Sequence, residues 1–347
     1  MSKASHFAVF ARYFAMVAIG LSAGMAAWAA PSSAGGAGNA PEPNLGTPRE
    51  LAAAPDFKEP GWLWSAPREN TPAAQMARAK ALEAEGHLTA ARKAYNALVK
   101  SWGSSEFASE AQFRVAVLHE TQKHFEEAFR EYQYYLEHYA RTAPVPGVTY
   151  EIVLGAQFSV ANHLRTRLGH GIVSPSTELV ASMFHRLEKN APDWTRADEC
   201  VFNEALSYEL GEIPTKAIPV YERLVAKFPD SGLVLDALYR AGFCRYRLAL
   251  KTPNDERTAA HALDTLRRAT RAGADHPEAE RAFEAIKDLS ARLTQGAYER
   301  AEFYDRIRHD PAAAILAYGQ FLEEHPGAPQ AEKVRARIAE LKAARKE

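Results

Sequence analysis

One arrangement of small and aromatic residues recurs along most of this chain and constrains its fold more than any other feature. Its clearest copy has an alanine and a tyrosine in one helical segment and a glycine at a turn. A second helical segment then carries alanine, tyrosine and leucine and ends at a proline. In chain order these residues are Ala205, Tyr208, Gly211, Ala217, Tyr221, Leu224 and Pro229. Because apolar residues at three- and four-residue spacing indicate helices, each copy predicts a helical hairpin.

Three other stretches repeat the pattern. The first copy has Ala79, Leu82, Gly86, Ala91, Tyr95 and Leu98; the second has Ala116, Ala128, Tyr132 and Tyr135; the last has Ala314, Tyr318, Phe321 and Pro326. A period of about 34 residues with this composition is typical of a tetratricopeptide array. The sequence therefore predicts an all-α chain of such hairpins.

The segments between the clear copies also read as helices. We predict one divergent pair at Val148 to Arg167 and Thr177 to Lys189, and another at Leu233 to Leu250 and His261 to Arg271. A long helix from Pro277 to Ile307 precedes the last copy. Counting these segments, the chain contains about six hairpins.

The spacing also predicts how the hairpins pack. Alanines suit the positions where two helices approach closely, and the aromatic residues Tyr95, Tyr132, Tyr221 and Tyr318 are expected in the core. A single hairpin cannot bury its own apolar face, so neighbouring hairpins must stack into a solenoid.

The N-terminus reads as an export signal. Lys3 and Arg12 precede an uncharged apolar stretch from Tyr13 to Ala27, and Ala27-Trp28-Ala29 forms an A-x-A cleavage site. A retained membrane helix is the alternative, but the apolar stretch is short of the ~20 residues that a span needs. No cysteine lies near the cleavage site, so we expect no lipid anchor.

These observations divide the chain into four parts. Residues 1–29 are the predicted signal peptide, and residues 30–70 are a linker rich in Pro, Gly and Ala that is expected to be disordered. The repeat array covers residues 71–327, and residues 328–347 form a polar capping helix. Within the linker, Trp62 and Trp64 are either a plug against the first hairpin or a docking peptide.

No catalytic or metal-binding pattern stands out. With 42 basic and 43 acidic residues the chain has no global field for nucleic acid. Cys200 and Cys244 are expected to be buried and free, with a disulfide between them as the alternative. His119 and His124 are five residues apart, which is the wrong spacing for a helical zinc site, and we expect both at the surface. We predict a protein without cofactor, metal or enzymatic activity.

Partner-binding residues are instead expected on the first helices of the hairpins, which line the concave face of such arrays. The candidates from the alignment of the copies are Met76, Lys80, Glu83, Phe113, Val117, Glu120, Phe202, Glu209 and Arg306.

From about Ala73 to Leu341 the chain resembles the BamD family, the tetratricopeptide subunit of the outer-membrane β-barrel assembly machinery. The segments that carry the resemblance are Gly86 to Val99, His124 to Tyr139, Ala297 to Tyr304, Ala313 to Tyr318 and Glu324 to Pro326. The resemblance implies a periplasmic protein on the inner face of the outer membrane. Its N-terminal repeats would contact unfolded outer-membrane proteins, and its C-terminal repeats would bind the POTRA domains of an Omp85-type barrel protein.

Two features depart from that family: the acylated cysteine is missing, and six hairpins replace the usual five or so. The alternative is a periplasmic coordinator of the Tol-Pal and cell-division system, similar to CpoB. Such chains usually begin with a trimeric coiled coil, whereas Pro31 to Asn70 is proline-rich and lacks heptads. An enzyme with a helical-repeat region is disfavoured because the repeats leave no room for a catalytic domain.

Overall fold

A computed structural model of the protein describes residues 66–169 and 174–345. These residues form thirteen α-helices and no strand. The helices are α1 Pro72–Ala84, α2 Leu88–Ser101, α3 Ala108–Thr121, α4 Phe125–His138, α5 Tyr150–Arg165, α6 Thr177–Asn190, α7 Ala197–Leu210, α8 Pro214–Lys227, α9 Val234–Lys251, α10 Glu256–Ala272, α11 Ala279–Glu302, α12 Pro311–Glu324 and α13 Ala331–Ala344. The predicted signal peptide, most of the predicted linker, Trp62 and Trp64 lie outside the described residues.

The first twelve helices follow one another as six pairs, which confirms the predicted fold class. Their spacing differs from the predicted period. Ala91 and Ala128 occupy the same place in consecutive hairpins and lie 37 positions apart in the numbering. The step exceeds 34 because the connection between these hairpins, residues 102–107, is longer than the turn within each of them.

The repeated small residues lie where the helices meet. The seven alanines of the pattern in the four clear copies have no exposed surface; they are Ala79, Ala91, Ala116, Ala128, Ala205, Ala217 and Ala314. The four predicted core tyrosines are buried as well. A larger side chain at an alanine position would overlap the facing helix, so these residues set how closely the two helices of a hairpin approach.

Four hairpins share a three-residue turn whose middle residue has a positive φ. These middle residues are Gly86 (78°), Lys123 (62°), Glu212 (57°) and His309 (51°). The left-handed conformation directs the next backbone N–H back to the end of the first helix, as in the bond from His124 N to His119 O. Glycine adopts it freely, whereas the three other residues adopt it at some cost.

The chain divides into two compact units, residues 1–160 and 161–347. In the described part of the first unit, glutamine side chains tie helices together: Gln75 Nε2 donates to Ala94 O and Gln112 Nε2 to Glu131 O. The amide of Gln157 on α5 donates in the same way to Phe129 O on α4. Each of these side chains satisfies a buried polar group and keeps two helices in register.

Three apolar clusters follow one another in the described part of the second unit, from α7 to α13. The first is built around Tyr221 and the second around Leu266. The third is built around Tyr318 and Phe321, and α13 contributes Val334 and Leu341 to it. The last helix therefore covers apolar surface of the last hairpin and leaves its own polar side outward.

The long helix before the last copy continues past Glu302 as one π-helical turn, Phe303–Ile307. In this turn Arg308 N donates to Phe303 O, five residues back. A π turn accommodates one more residue than an α turn of the same rise. The helix thus runs on as predicted, but with one inserted residue.

Two details of the sequence-based prediction are wrong, and the prediction for the two cysteines is confirmed. Helix α10 begins at Glu256 and not at His261, because the Asp255 side chain accepts a hydrogen bond from Thr258 N and starts the helix there. His119 is buried and only His124 is exposed, so the expectation of two surface histidines is wrong for His119. Cys200 and Cys244 are both free and buried, which excludes the disulfide alternative in this structure.

Candidate protein-binding surface

A tyrosine of the second helix donates its hydroxyl to an acidic side chain of the first helix in four hairpins. The bonds join Tyr95 to Glu83 (2.7 Å), Tyr132 to Glu120 (2.7 Å), Tyr221 to Glu209 (2.8 Å) and Tyr318 to Asp305 (3.2 Å). We refer to these as acid–tyrosine pairs. Each pair gives a buried hydroxyl an acceptor and holds a carboxylate at the same place on the hairpin.

In three of the four pairs an arginine from the following helix adds a positive charge. Arg114 contacts Glu83 (3.4 Å), Arg240 contacts Glu209 (3.3 Å), and Arg337 binds Asp305 with two nitrogens (2.8 and 2.9 Å). All three arginines are the seventh residue of their helix: Arg114 in α3, Arg240 in α9 and Arg337 in α13. The acid, the tyrosine and the arginine therefore form a unit that joins one helix pair to the next.

In the acid–tyrosine pair of Glu209 and Tyr221, the acid contacts two arginines, and one of them also lies over an aromatic ring. Arg240 lies over the ring of Phe202, 5.8 Å from its centroid, while its guanidinium contacts Glu209. Arg247 adds a second cation to the same carboxylate at 3.1 Å. One guanidinium is thus held by an aromatic face and a carboxylate together, an arrangement that combines cation–π and ionic attraction.

The π turn changes which residue takes the acidic place in the last hairpin. Acid and tyrosine are 12 residues apart in the first three pairs and 13 apart in the Asp305–Tyr318 pair. The arginine follows the acid by 31 residues at Glu83 and Glu209, and by 32 at Asp305. The inserted residue therefore puts Asp305 in the place that fixed spacing assigns to Arg306.

Glu120 differs from the other acids. Among the described residues its one hydrogen-bond donor is the Tyr132 hydroxyl, and no cation pairs with it. The seventh residue of α5 is Ala156, so the position that supplies arginine in α3 and α9 supplies none here. Burial raises the pKa of Glu120, and the Tyr132 bond lowers it only in part. By contrast, Arg337 lowers the pKa of Asp305.

The nine predicted partner-binding residues fall into different environments. Met76 and Val117 are buried, and Glu83 and Glu209 hold internal arginines. Exposed Lys80 pairs with Glu110 (2.8 Å), and exposed Arg306 pairs with Glu302 (3.1 Å). The remaining three, Phe113, Glu120 and Phe202, are half-buried on their helices.

Two of these residues meet in the second hairpin. The Phe113 ring lies 6.0 Å from the Tyr132 ring and 5.6 Å from that of Tyr135, and Tyr132 binds Glu120. Phe113 and Glu120 therefore flank the same tyrosine, as Phe202 and Glu209 flank Tyr221.

The largest exposed apolar side chains concentrate near the end of the chain. Of the five in the described residues, Phe283, Phe303, Ile307 and Leu316 belong to the last hairpin, and Leu250 lies on α9. Ile307 is 68% and Leu316 is 65% exposed. A cavity of about 210 Å³ is formed by the last hairpin and α13, and its lining includes Tyr298, Arg306 and Lys333.

Histidine, cysteine and acidic side chains are dispersed in the part of the chain that the structure describes. No group of three or more potential metal ligands occurs there, and none of the described helices is long and apolar enough to cross a membrane. Burial raises the pKa of both thiols, that of Cys244 to about 11, which disfavours the reactive thiolate. Burial and the nearby Arg92 lower the pKa of His119 to about 3.

Sequence reasoning missed the arginines of the network, Arg114, Arg240 and Arg337. A signal was present in two copies, since each arginine follows an acid of the pattern by 31 residues. Asp305 was missed because nothing in the local sequence marks a π turn.

Comparison with known protein families supports the tetratricopeptide-type repeat. The tetratricopeptide repeat family matches residues 199–231, which cover most of α7 and all of α8. A search of curated proteins finds no match. The chain is thus built from tetratricopeptide-type hairpins, an architecture whose surfaces bind other proteins.

Solved structures of several repeat proteins are similar to this chain at low identity. The C-terminal part of a TPR repeat-containing protein from Cytophaga hutchinsonii has 12% identity and a TM-score of 0.31, with 77% of this chain and 88% of that chain covered. A tetratricopeptide repeat protein from Parabacteroides merdae has 13% identity and a TM-score of 0.28, with 78% and 98% covered. Pseudomonas aeruginosa pilF has 14% identity and a TM-score of 0.28, with 77% and 97% covered.

Proposed function

We propose that this protein is a non-catalytic scaffold of the bacterial envelope, a BamD-like subunit that assists assembly and insertion of β-barrel proteins into the outer membrane. The observation that carries the proposal is the exposed apolar surface of the last hairpin, where the resemblance to the BamD family expects the main partner to bind. Side chains such as Ile307 and Leu316 point away from their own core and are suited to burial against another protein.

The partner proposed for this surface is the POTRA region of an Omp85-type barrel protein. Unfolded outer-membrane proteins are the proposed ligands of the N-terminal hairpins. The proposed location is the periplasm at the inner face of the outer membrane, where the protein would be held peripherally through its partner without a lipid anchor.

Direct binding tests this proposal. Purified POTRA domains of the Omp85-type protein from the same organism are titrated with the full chain and with the double variant Ile307→Asp, Leu316→Asp. We expect the wild-type chain to bind and the variant to bind with at least tenfold lower affinity. Charged side chains in the apolar core of an interface weaken binding by on the order of 2–4 kcal/mol.

The control is Leu250→Asp, to be compared with the single variant Leu316→Asp, because each replaces one exposed leucine by one aspartate and Leu250 lies outside the last hairpin. Its affinity for the POTRA domains should equal that of the wild type. Absence of binding by the wild-type chain, combined with recovery of Tol-Pal proteins from envelope extract, would overturn the outer-membrane assembly role in favour of the CpoB-like one.

A further inference from the structure

The second hairpin holds an aromatic ring and a carboxylate in the arrangement that binds arginine elsewhere in this chain. In the hairpin of α7 and α8, Phe202 and Glu209 flank Tyr221, and Arg240 lies over the Phe202 ring while it pairs with Glu209. That hairpin shows what such a pair of side chains recognises.

Phe113 and Glu120 reproduce the pair around Tyr132. The ring centroids of Phe113 and Tyr132 are 6.0 Å apart, against 5.7 Å for Phe202 and Tyr221. The hydroxyl of Tyr132 reaches Glu120 at 2.7 Å, against 2.8 Å for Tyr221 and Glu209. The two sets therefore match in residue type, in spacing along the helix and in contact distance.

The two sets of residues differ in whether a cation contacts the carboxylate. Within the described residues no arginine or lysine pairs with Glu120, and Ala156 stands at the helix position that gives Arg240 in the other hairpin. Glu120 is thus a half-buried carboxylate whose charge is not balanced by any residue that the structure describes, and both Phe113 and Glu120 keep part of their surface exposed. Such a group attracts a complementary charge more strongly than a fully solvated one.

We propose that Phe113, Glu120 and Tyr132 form a subsite for an arginine side chain of an extended segment in a partner protein. The guanidinium would stack on Phe113 and pair with Glu120, as Arg240 does on Phe202 and Glu209. Arginine fits better than lysine because its planar group stacks on a ring and donates to a carboxylate at the same time. This inference rests on the proposed function as a protein-binding scaffold and names the chemistry that one of its surfaces recognises.

A peptide array tests the subsite. Overlapping segments of a β-barrel outer-membrane protein from the same organism are printed in three versions: native, with each arginine replaced by lysine, and with each arginine replaced by citrulline. Citrulline keeps the shape of arginine and removes its charge. We expect the full chain to retain arginine-containing segments and to lose them on replacement by citrulline.

The strongest segment is then measured in solution by fluorescence anisotropy. Glu120→Gln keeps the acceptor for Tyr132 and should weaken binding at least about tenfold, as expected for loss of a charged hydrogen-bonded contact. Phe113→Leu should weaken it as well, without changing charge. Glu126→Gln is the matched control, since Glu126 is exposed in the same hairpin and makes the same change in net charge.

The outcomes separate this inference from the proposed function. Retention of segments without preference for arginine over citrulline, or unchanged affinity of the Glu120→Gln variant, overturns the subsite and leaves the scaffold role in place. Arginine-selective binding that depends on Glu120 supports the subsite even where the chain fails to bind POTRA domains, and that failure overturns only the assembly role.

Discussion

The buried tyrosine hydroxyls illustrate how single residues are balanced in this protein. In each acid–tyrosine pair the hydroxyl donates to the acid, and each acid other than Glu120 also receives an arginine. The acids thus differ in how much they depend on their tyrosine. Glu83 keeps Arg114 when its tyrosine bond is lost, whereas Glu120 keeps no other hydrogen-bond donor among the described residues.

We therefore expect Tyr132→Phe to destabilise the protein more than Tyr95→Phe. Loss of the Tyr95 bond should cost about 1 kcal/mol because Glu83 keeps Arg114, and leaving the Glu120 carboxylate without its donor should cost about 2 kcal/mol. Urea unfolding at neutral pH, followed by circular dichroism, gives the two values. Equal costs for the two variants would contradict the view that Glu120 relies on Tyr132.

His119 predicts a pH dependence of stability. Arg92 donates to its Nε2 at 3.0 Å, so the ring proton lies on Nδ1, and burial keeps the ring neutral with a pKa of about 3. The unfolded chain binds a proton near pH 6.5 that the folded chain does not bind until about pH 3. Stability must therefore fall as the pH is lowered through this range, by about 2 kcal/mol between pH 7 and pH 5.

The variant His119→Gln isolates this contribution, because glutamine offers Arg92 an acceptor and does not titrate. From pH 7 to pH 5, we expect the unfolding free energy of the wild type to fall by about 2 kcal/mol relative to that of the variant. Other titrating groups are common to both proteins and cancel. A difference that stays constant with pH would show that His119 is protonated in the folded state.

The hairpin turn is the element in which sequence and backbone conformation disagree most. Its middle residue has a left-handed conformation in four hairpins, but only Gly86 suits it. Glu212 is exposed, and its side chain makes no hydrogen bond or ion pair with another described residue. Its replacement therefore changes the backbone preference without removing an interaction.

We expect Glu212→Gly to stabilise the protein by about 0.5–1 kcal/mol, because glycine adopts a positive φ without steric cost. The reverse change at the same turn position, Gly86→Ala, should destabilise by a similar amount, since open space around Gly86 leaves conformation as the only effect. Thermal unfolding of the two variants beside the wild type measures both. If both variants changed the stability in the same direction, the conformational cost assigned to the positive φ at this turn would be contradicted.

The periodic pattern of small and aromatic residues was sufficient to predict the hairpins, because an alanine such as Ala217 is required wherever two helices touch. The same pattern marks acids such as Glu83 and Glu209, each 12 residues before the tyrosine that binds it. It was insufficient to show that these acids hold arginines of the next helix, because that contact depends on the stacking of hairpins. The π turn could not be predicted from the sequence either, since the helix geometry at this point follows from packing around Asp305.

Across the whole molecule, basic and acidic residues balance, and this limits the long-range electrostatic attraction of partners. The chain carries 42 basic and 43 acidic residues, so it has almost no net field to accelerate encounters. Recognition must then depend on local contacts that act after encounter, which determine how long a complex lasts.

We expect the association rate constant with POTRA domains to change less than about threefold between low and high salt, whereas electrostatically steered pairs change far more. Surface plasmon resonance at several salt concentrations measures it. A steep fall with salt would show that a charged surface patch steers the encounter despite the balanced total.

The π turn of the last hairpin has an evolutionary consequence. Asp305 keeps both its tyrosine and its arginine although the chain contains one more residue between them than the other hairpins do. A single wide turn thus confines an insertion to the end of one helix and leaves the neighbouring contacts unchanged. Descendants of one ancestral repeat can gain or lose a codon at this point while the acid keeps its role.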